Sequence, residues 1–384
     1  MRVCLFTPTF LPRMGGAERM ADTLARGLCK RGHAVHVLAE RPERGEGATP
    51  ELPYPVSRYR RPPAMHLWPE ILARPLIRLH RRWPFDVVLA FYAYPTGYAA
   101  VHARRRVGVP VVVTPRGADL YPNFHALRKP RVRSVIAAGY ARADRVVSIS
   151  GWLTDRIVAV TGRSREDLPP IDHVPNGIDL DAFDADLAAA ERGTLPLGEG
   201  DRFLLHMGRV EPVKRVAIAV EAVALEAERF RGLGLRYAVV GDGSDLDTVR
   251  ALVQRHSLGD VALVLGRRSG AERAWLLRHA EGFVTTSREE GMPNAMLEAM
   301  AAGLPTLASD IGPHRELIDG RGWGLLCEST DPTHWGIALQ ALDEADRNAM
   351  RDAALKLRDD YQLKHTIDGY EHALHKVVQD AATS

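Results

Sequence analysis

The sequence predicts an α/β protein built from two parallel-sheet domains. Short apolar runs recur along the chain, and each gives way to a glycine-rich or polar turn and then to a helical spacing of apolar residues. Strands alternating with helices in this way form parallel sheets. The series is laid out twice, on either side of a polar stretch at 181–200, without any residue-level repeat. The 384 residues are 46% hydrophobic and 26% charged, enough for each half to bury its own core. The expected division is a first domain over 1–180, a linker over 181–200, a second domain over 201–360 and a terminal segment over 361–384.

Val3 to Thr7 is the first strand, ended by Pro8. After Met14, Gly15 and Gly16 open a helix spaced Met20, Leu24, Leu28, and Ala34 to Leu38 is the next strand. Backbone N–H groups at the glycine pair can cradle an anion, although paired glycines also make ordinary turns. The spacing is not G-x-G-x-x-G, so no dinucleotide fingerprint is present. Residues 40–64, rich in Pro, Gly, Glu and Arg, read as a loop. Residues 65–82 mix Leu, Ile and Trp with Arg and are interrupted by Pro69 and Pro75. This is either a basic amphipathic segment for an anionic membrane surface or a core-packed helix with a solvated basic face. Asp86 to Ala90 and Pro110 to Thr114 are strands flanking a helix over 95–106. Arg116 and Asp119 follow the second of these strands. Ligands bind at carboxyl ends of parallel strands, so both residues are cleft candidates, with a capped turn as the alternative. Arg145 to Ser150 is a strand, a helix follows Gly151, and Pro175-Asn-Gly177 marks a turn.

The second series starts with the strand Phe203 to His206, which leads into Gly208-Arg209 and, past Lys214, a helix spaced Val216, Val220, Val223. Strands follow at Arg236 to Val240, Val261 to Leu265 and Gly282 to Thr286, then at 306–308 and 324–326, before a helical tail over 332–381. Ser287 to Pro305 reads as a loop that opens a short helix. Pro293 suits the first turn, and Gly303 and Pro305 stop it. Ala295, Met296, Leu297, Ala299, Met300 and Ala301 are apolar or small on nearly every side, as in a buried helix. Glu298 on such a helix needs a partner. Glu290 lies at the loop leading in, and the helix N-terminus between the two acids favours a phosphate. The plainer reading is a core helix with one salt-bridged glutamate.

Several classes of function are excluded. The three cysteines, Cys4, Cys29 and Cys327, have no clustered spacing for a disulfide framework or a zinc pattern, which points to a reducing, cytoplasmic setting. No apolar run is long enough to span a bilayer, and the start of the chain does not read as a signal peptide. Residues 1–180 carry 28 Lys+Arg against 15 Asp+Glu, a net +13, so 181–384 carry −10 of the overall +3. The basic half lacks a nucleic-acid motif, which leaves a phosphorylated substrate or anionic lipid as its partner.

Arg209 and Lys214 stand beside one strand end, where cations can neutralise a diphosphate leaving group, although taken alone such a pair is more often a solvated face. Gly15-Gly-Ala-Glu18, Val174-Pro-Asn-Gly-Ile-Asp179, Gly208 to Lys214, Val240-Gly-Asp-Gly243 and Glu290 to Ala301 occur in that order. With these motifs, from Phe6 to about Tyr370, the chain resembles the family 4 retaining glycosyltransferases of the GT-B fold. The resemblance implies two Rossmann-like domains facing across a cleft, with a C-terminal helix crossing back to the first. It implies that Arg209 and Lys214 hold the donor's diphosphate, Glu290 the sugar and Glu298 the ribose. The backbone of Gly291, Met292, Pro293 and Asn294 would bind sugar and phosphate, with Leu297 alongside. Gly15 and Gly16 would approach the phosphate from the first domain, and Gly266 and Arg267 would border the base. No metal or other cofactor is implied.

One departure stands out. Many relatives place His where this chain has Arg116, and arginine is no base at neutral pH. Arg116 is then expected to orient the acceptor or a phosphate, with Asp119 keeping its place in the acceptor cleft. The expected reaction moves a sugar from UDP- or GDP-sugar to a glycan or lipid-linked hydroxyl in envelope polysaccharide or glycolipid synthesis. The expected location is the cytoplasm, peripheral on the inner membrane face. The rivals are a sugar-nucleotide epimerase of similar fold and a non-catalytic nucleotide-sugar binding module. A retaining hydrolase using Glu290 and Glu298 is disfavoured. Eight helical residues span about 12 Å, whereas such a carboxylate pair stands roughly 5–5.5 Å apart.

Overall fold

The computed structural model describes residues 1–383 apart from 14, 44, 46 and 62–68. The chain forms two compact units, Met1–Asn176 with Lys364–Ser384, and Gly177–Leu363. In the first unit the strands are β1 (Arg2–Thr7), β2 (Ala34–Glu40), β3 (Val56–Tyr59), β4 (Val87–Phe91), β5 (Val111–Thr114), β6 (Arg145–Ser148) and β7 (Ile171–His173). They form one parallel sheet in the order β3-β2-β1-β4-β5-β6-β7. The second unit contains β8 (Arg202–Met207), β9 (Leu235–Val240), β10 (Ala262–Gly266), β11 (Gly282–Thr285), β12 (Thr306–Ser309) and β13 (Gly324–Cys327). Its parallel sheet runs β10-β9-β8-β11-β12-β13. Both sheets start at the centre, wind outward, and then return to the other side of the first strand. The winding therefore reverses between β1 and β4 and between β8 and β11. At such a switch point the connections leave to opposite sides, and the carboxyl ends of the strands border a crevice.

Alternate strand residues supply two cores in the second unit. Leu204, Tyr237, Val239, Val284 and Leu307 belong to one, while Phe203, Leu205, Ala238, Val240, Phe283 and Ala308 belong to the other. A sheet covered on both faces needs apolar residues at every position, which is why its strands read as unbroken apolar runs. The helix Leu363–Thr383 has its residues from Lys364 onward in the first unit. There the Tyr370 and Thr114 hydroxyls lie 2.7 Å apart, and Ile367 fills the space that a Cβ on Gly27 would occupy.

Several expectations change. Residues 181–200 are not a linker: the helix Leu180–Ala188, capped by Asp179, carries Phe183 into the second core together with Leu195 and Leu197. The few apolar residues of that polar stretch are the ones that anchor it. The chain instead passes between units after Asn176 and after Leu363. At these crossings Ile178 and Leu363 exchange backbone hydrogen bonds with Tyr361 and Ile178, each 2.7 Å long. The loop expected over 40–64 contains β3, an edge strand with only Tyr59 fully buried and hence a weak apolar signal. β7 and the helix Pro130–Ala141 are further elements beyond those expected.

Of the basic segment, residues 65–68 lie outside the described residues. Pro69–Leu72 is a 3₁₀ turn and Ala73–Arg82 a helix, with Pro75 in its first turn, where the missing N–H breaks nothing. Leu72, Leu76, Ile77 and Leu79 are buried, while Arg74, Arg78, Arg81 and Arg82 are exposed. The apolar face is core, so only the basic face remains for an anionic surface.

Candidate active site

In the second unit, β8 ends in the loop that carries Arg209. Gly208 N–H donates to Val240 O at 3.0 Å and Val210 N–H to Asp242 O at 2.9 Å, which fastens this loop to the turn after β9. A Cβ on Gly241 would fall 1.7 Å from Gly208 O, and one on Gly243 2.3 Å from Val210 O. Both glycines also have φ above +150°, so the close approach needs glycine twice. Arg209 projects into solvent, and no ion pair is found for it among the described residues.

The loop after β11 is stitched to the segment after β8. The Thr286 hydroxyl donates to Lys214 O at 2.8 Å, Arg288 N–H to Val213 O at 2.8 Å, and the Arg215 guanidinium to Thr286 O at 3.1 Å. This brings Lys214 against Glu290. Its ammonium donates to the Glu290 carboxylate, which also accepts from Ser287 Oγ at 2.8 Å. Burial is the largest influence on the Glu290 carboxyl and would raise it, but Lys214, His314 and the Ser287 hydrogen bond together outweigh it and hold the group below its ordinary value.

Two buried histidines, His206 and His314, interact electrostatically with this pair, and burial pushes each down to about 4. His314 Nδ1 lies 2.7 Å from Ser309 O and His206 Nδ1 3.2 Å from Val284 O. Carbonyls only accept, so each Nδ1 carries the hydrogen and each Nε2 is an acceptor. Neither Nε2 has a protein partner among the described residues.

Pro293 caps the helix Asn294–Ala301, accepting from Met296 N–H and Leu297 N–H, and Gly303 at φ +73° ends it. The Leu297 side chain is buried in the core, so anything it offers a donor comes through backbone. Glu298 is paired with Arg273 of the helix Gly270–His279, both about a quarter exposed. Each glutamate thus has its own cation, and the two do not form a coupled acid pair. Gly266, at φ +69°, ends β10, and Arg267 beside it is exposed.

In the first unit, Gly15 and Gly16 open the helix Gly16–Lys30, and a Cβ on Gly15 would fall 2.3 Å from the carboxylate of Glu18. Arg116, after β5, is 8% exposed. Its guanidinium donates to Asn176 Oδ1 at 3.0 Å and to Tyr370 Oη at 2.7 Å, and sits 4.0 Å from the Phe91 ring centre. Its Nε has no protein partner, and no carboxylate pairs with it among the described residues. Asp119 accepts from Ala93 N–H at 2.7 Å and from Tyr140 Oη at 3.1 Å, while its Oδ1 is buried without a partner. Burial pushes its carboxyl up to about 6, against these hydrogen bonds.

Two family models match in succession. Residues 14–182 match Glycosyltransferase Family 4, and residues 189–357 match Glycosyl transferases group 1. The chain belongs to the family 4, group 1 glycosyltransferases. This glycosyltransferase is 26% identical over 389 residues to N-acetyl-alpha-D-glucosaminyl L-malate synthase of Bacillus anthracis, spanning 97% of each chain. It is 28% identical over 344 residues to GDP-mannose-dependent alpha-mannosyltransferase of Mycobacterium tuberculosis, covering 85% of this chain and 83% of that one. In fold it is similar to Anabaena HepE in complex with UDP, with a TM-score of 0.76 at 18% identity over 98% of this chain and all of that one. It is also similar to WaaG, a glycosyltransferase of lipopolysaccharide biosynthesis, with a TM-score of 0.71 at 17% identity, covering 96% and 98% of the two chains.

The glycosyltransferase thus gathers Arg209, Lys214, Glu290 and the 291–294 turn at the ends of adjacent strands β8 and β11. Gly15, Gly16, Arg116 and Asp119 belong to the other unit. Sequence reading missed His206, His314, Ser287 and Arg273 around the two glutamates. The need of Glu298 for a partner was visible, but which of many arginines would meet it was not. No described helix is long and apolar enough to cross a membrane.

Proposed function

We propose that this glycosyltransferase moves a sugar from a UDP- or GDP-sugar onto an acceptor hydroxyl, with retention at the anomeric carbon. The observation that carries the reading is the Lys214–Glu290 pair at the β8/β11 switch point, beside exposed Arg209 and ahead of the helix that starts at Asn294. Arg209 and Lys214 neutralise the diphosphate as its charge develops. The helix N-terminus adds to the same positive field, so the reaction as proposed needs no metal. Glu290, kept ionised, accepts from sugar hydroxyls, and Glu298 accepts from the ribose when Arg273 yields part of its hold. Gly266 and Arg267 border the base, and Gly15 and Gly16 allow backbone approach to the phosphate. The acceptor attacks from the face the diphosphate leaves, and a diphosphate oxygen takes its proton. The protein contributes orientation and charge stabilisation rather than a strong base.

Arg116 and Asp119 serve the acceptor. A buried cation with only neutral partners favours an anion, so the acceptor carries a carboxylate or phosphate, whether small, glycan or lipid-linked. The names of two relatives, an N-acetyl-alpha-D-glucosaminyl L-malate synthase and a D-inositol 3-phosphate glycosyltransferase, agree with a hydroxyl-bearing anion. A role in envelope glycan or glycolipid synthesis follows from that reading, at the cytoplasmic membrane face. Docking there is electrostatic, through Arg74, Arg78, Arg81 and Arg82. Liposome pelleting is therefore expected to weaken at high salt, and salt-independent pelleting would exclude it.

The test is incubation with UDP-, GDP- and ADP-sugars and a panel of L-malate, inositol phosphates and envelope lipid extract. Labelled sugar in an acceptor with the donor's anomeric configuration supports the reading. Isomerised donor without acceptor would point to an epimerase, and binding without turnover to a binding module. Lys214→Ala is expected to abolish donor binding; unchanged binding would remove the diphosphate role.

A further inference from the structure

We propose that His33, Glu371 and His375 bind one zinc-class transition-metal ion, which ties the C-terminal helix to the rest of the first unit. His33 lies in the turn between the helix Gly16–Lys30 and β2, with its ring almost fully buried. Glu371 and His375 are four residues apart on Leu363–Thr383 and so share one face of that helix. One ligand atom from each of the three residues lies within 4.8 Å of the other two. His33 Nε2 is 2.6 Å from Glu371 Oε1, and the rings of His33 and His375 are 5.5 Å apart.

A tetrahedral zinc ion with bonds of about 2.0–2.1 Å holds its ligand atoms roughly 3.3 Å apart. His33 and Glu371 would have to part by less than about 1 Å, and exposed His375 reaches the ion by a side-chain rotation.

The surroundings also suit a metal. Arg31 holds the second carboxylate oxygen of Glu371 and pairs with Asp368 as well. An outer partner of this kind orients a carboxylate ligand. With neutral imidazoles, Arg31 and the Met1 ammonium, 3.3 Å from His33 Nδ1, balance Asp368 and Glu371, so the ion is drawn by the ligand atoms themselves and not by net charge. Two imidazole nitrogens and one carboxylate oxygen select zinc-class ions over magnesium or calcium, which take oxygen ligands. A plain His33–Glu371 hydrogen bond accounts for the 2.6 Å contact but gives His375 no part, and this separates the two accounts.

The test uses the tag-free full chain, stripped with chelator and titrated with Zn²⁺ against a chromophoric competitor. One equivalent is expected to bind, with a rise in thermal midpoint. His375→Ala and Glu371→Gln are each expected to weaken binding by about 100-fold or more. His372→Ala, on the same helix, is expected to leave it unchanged. Circular dichroism confirms that each variant is folded. Absence of saturable binding up to about 0.1 mM zinc, or equal binding by His375→Ala, would overturn the proposal. So would a loss in His372→Ala that His375→Ala does not show.

Discussion

Lys214→Met keeps the side-chain stem and removes its charge, leaving Glu290 in a site where its side chain is only 10% exposed. Removing one partner of a buried ion pair costs about 3–5 kcal/mol. For a unit of this size that is a fall in thermal midpoint of roughly 6–20 °C. The pH dependence follows from Glu290. In the parent protein its carboxyl lies below 4.5, so it adds stability above that pH and loses it as the pH falls through the depressed value. Without the ammonium, burial weighs more heavily against the charged form, and the carboxyl is expected to rise. The deficit is then largest at neutral pH and shrinks as the pH falls. Lys214→Met/Glu290→Gln is expected to recover most of the lost midpoint and none of the activity. Differential scanning calorimetry at pH 7.5 and pH 5, with initial rates at saturating acceptor, measures both quantities. The rate term kcat/KM is expected to fall by about 10²–10³. A midpoint deficit that does not depend on pH would refute the account of the pair, and an unchanged kcat/KM would refute the diphosphate contact.

Three further outcomes are expected. Asp119→Asn removes a titration: the Asp119 carboxyl is raised from 3.8 to about 6, so the parent loses stability as the pH rises through that interval, by about 2–3 kcal/mol. The variant is expected to lack that loss, and parallel stability–pH curves for the two would refute it. Gly241→Ala drives a Cβ into Gly208 O and is expected to cost about 3 kcal/mol or more in chemical denaturation; a cost under about 1 kcal/mol would show that the turn can move aside. Glu298→Ala is expected to raise the donor KM by about tenfold with a smaller change in kcat, from the loss of a ribose contact of roughly 1.5 kcal/mol. Steady-state kinetics with varied donor decides it, and a fall in kcat alone would place Glu298 elsewhere in the reaction.

Much of the strand pattern was readable because strands buried on both faces need continuous apolar runs: β1, β4, β8 and β11 all announce themselves. β3 and β7 did not, since an edge strand buries little and needs few apolar residues. The same logic explains the polar stretch at 181–200. Phe183, Leu195 and Leu197 suffice to anchor it, and three residues do not make a periodic signal. In the 65–82 segment, an amphipathic pattern reports that one face is covered, not by what; the fold covers it with protein.

The candidate site divides along the same line. Local chemistry alone determined the helix after Pro293, its stop at Gly303, the turn glycines at 241 and 243, and the expectation that Glu298 needs a partner. Each of these follows from backbone geometry or burial within a few residues. Which side chains meet was decided by strand order. Lys214 and Glu290 are 76 residues apart and touch because β11 pairs with β8. Arg116 and Tyr370, 254 apart, meet because the last helix belongs to the first unit. Desolvation lifts Asp119 and works against the charge on Glu290, which its assembled partners keep ionised, and burial surrounds Arg116 with neutral groups. Desolvation depends on everything that packs around a group, and only the assembled structure sets that.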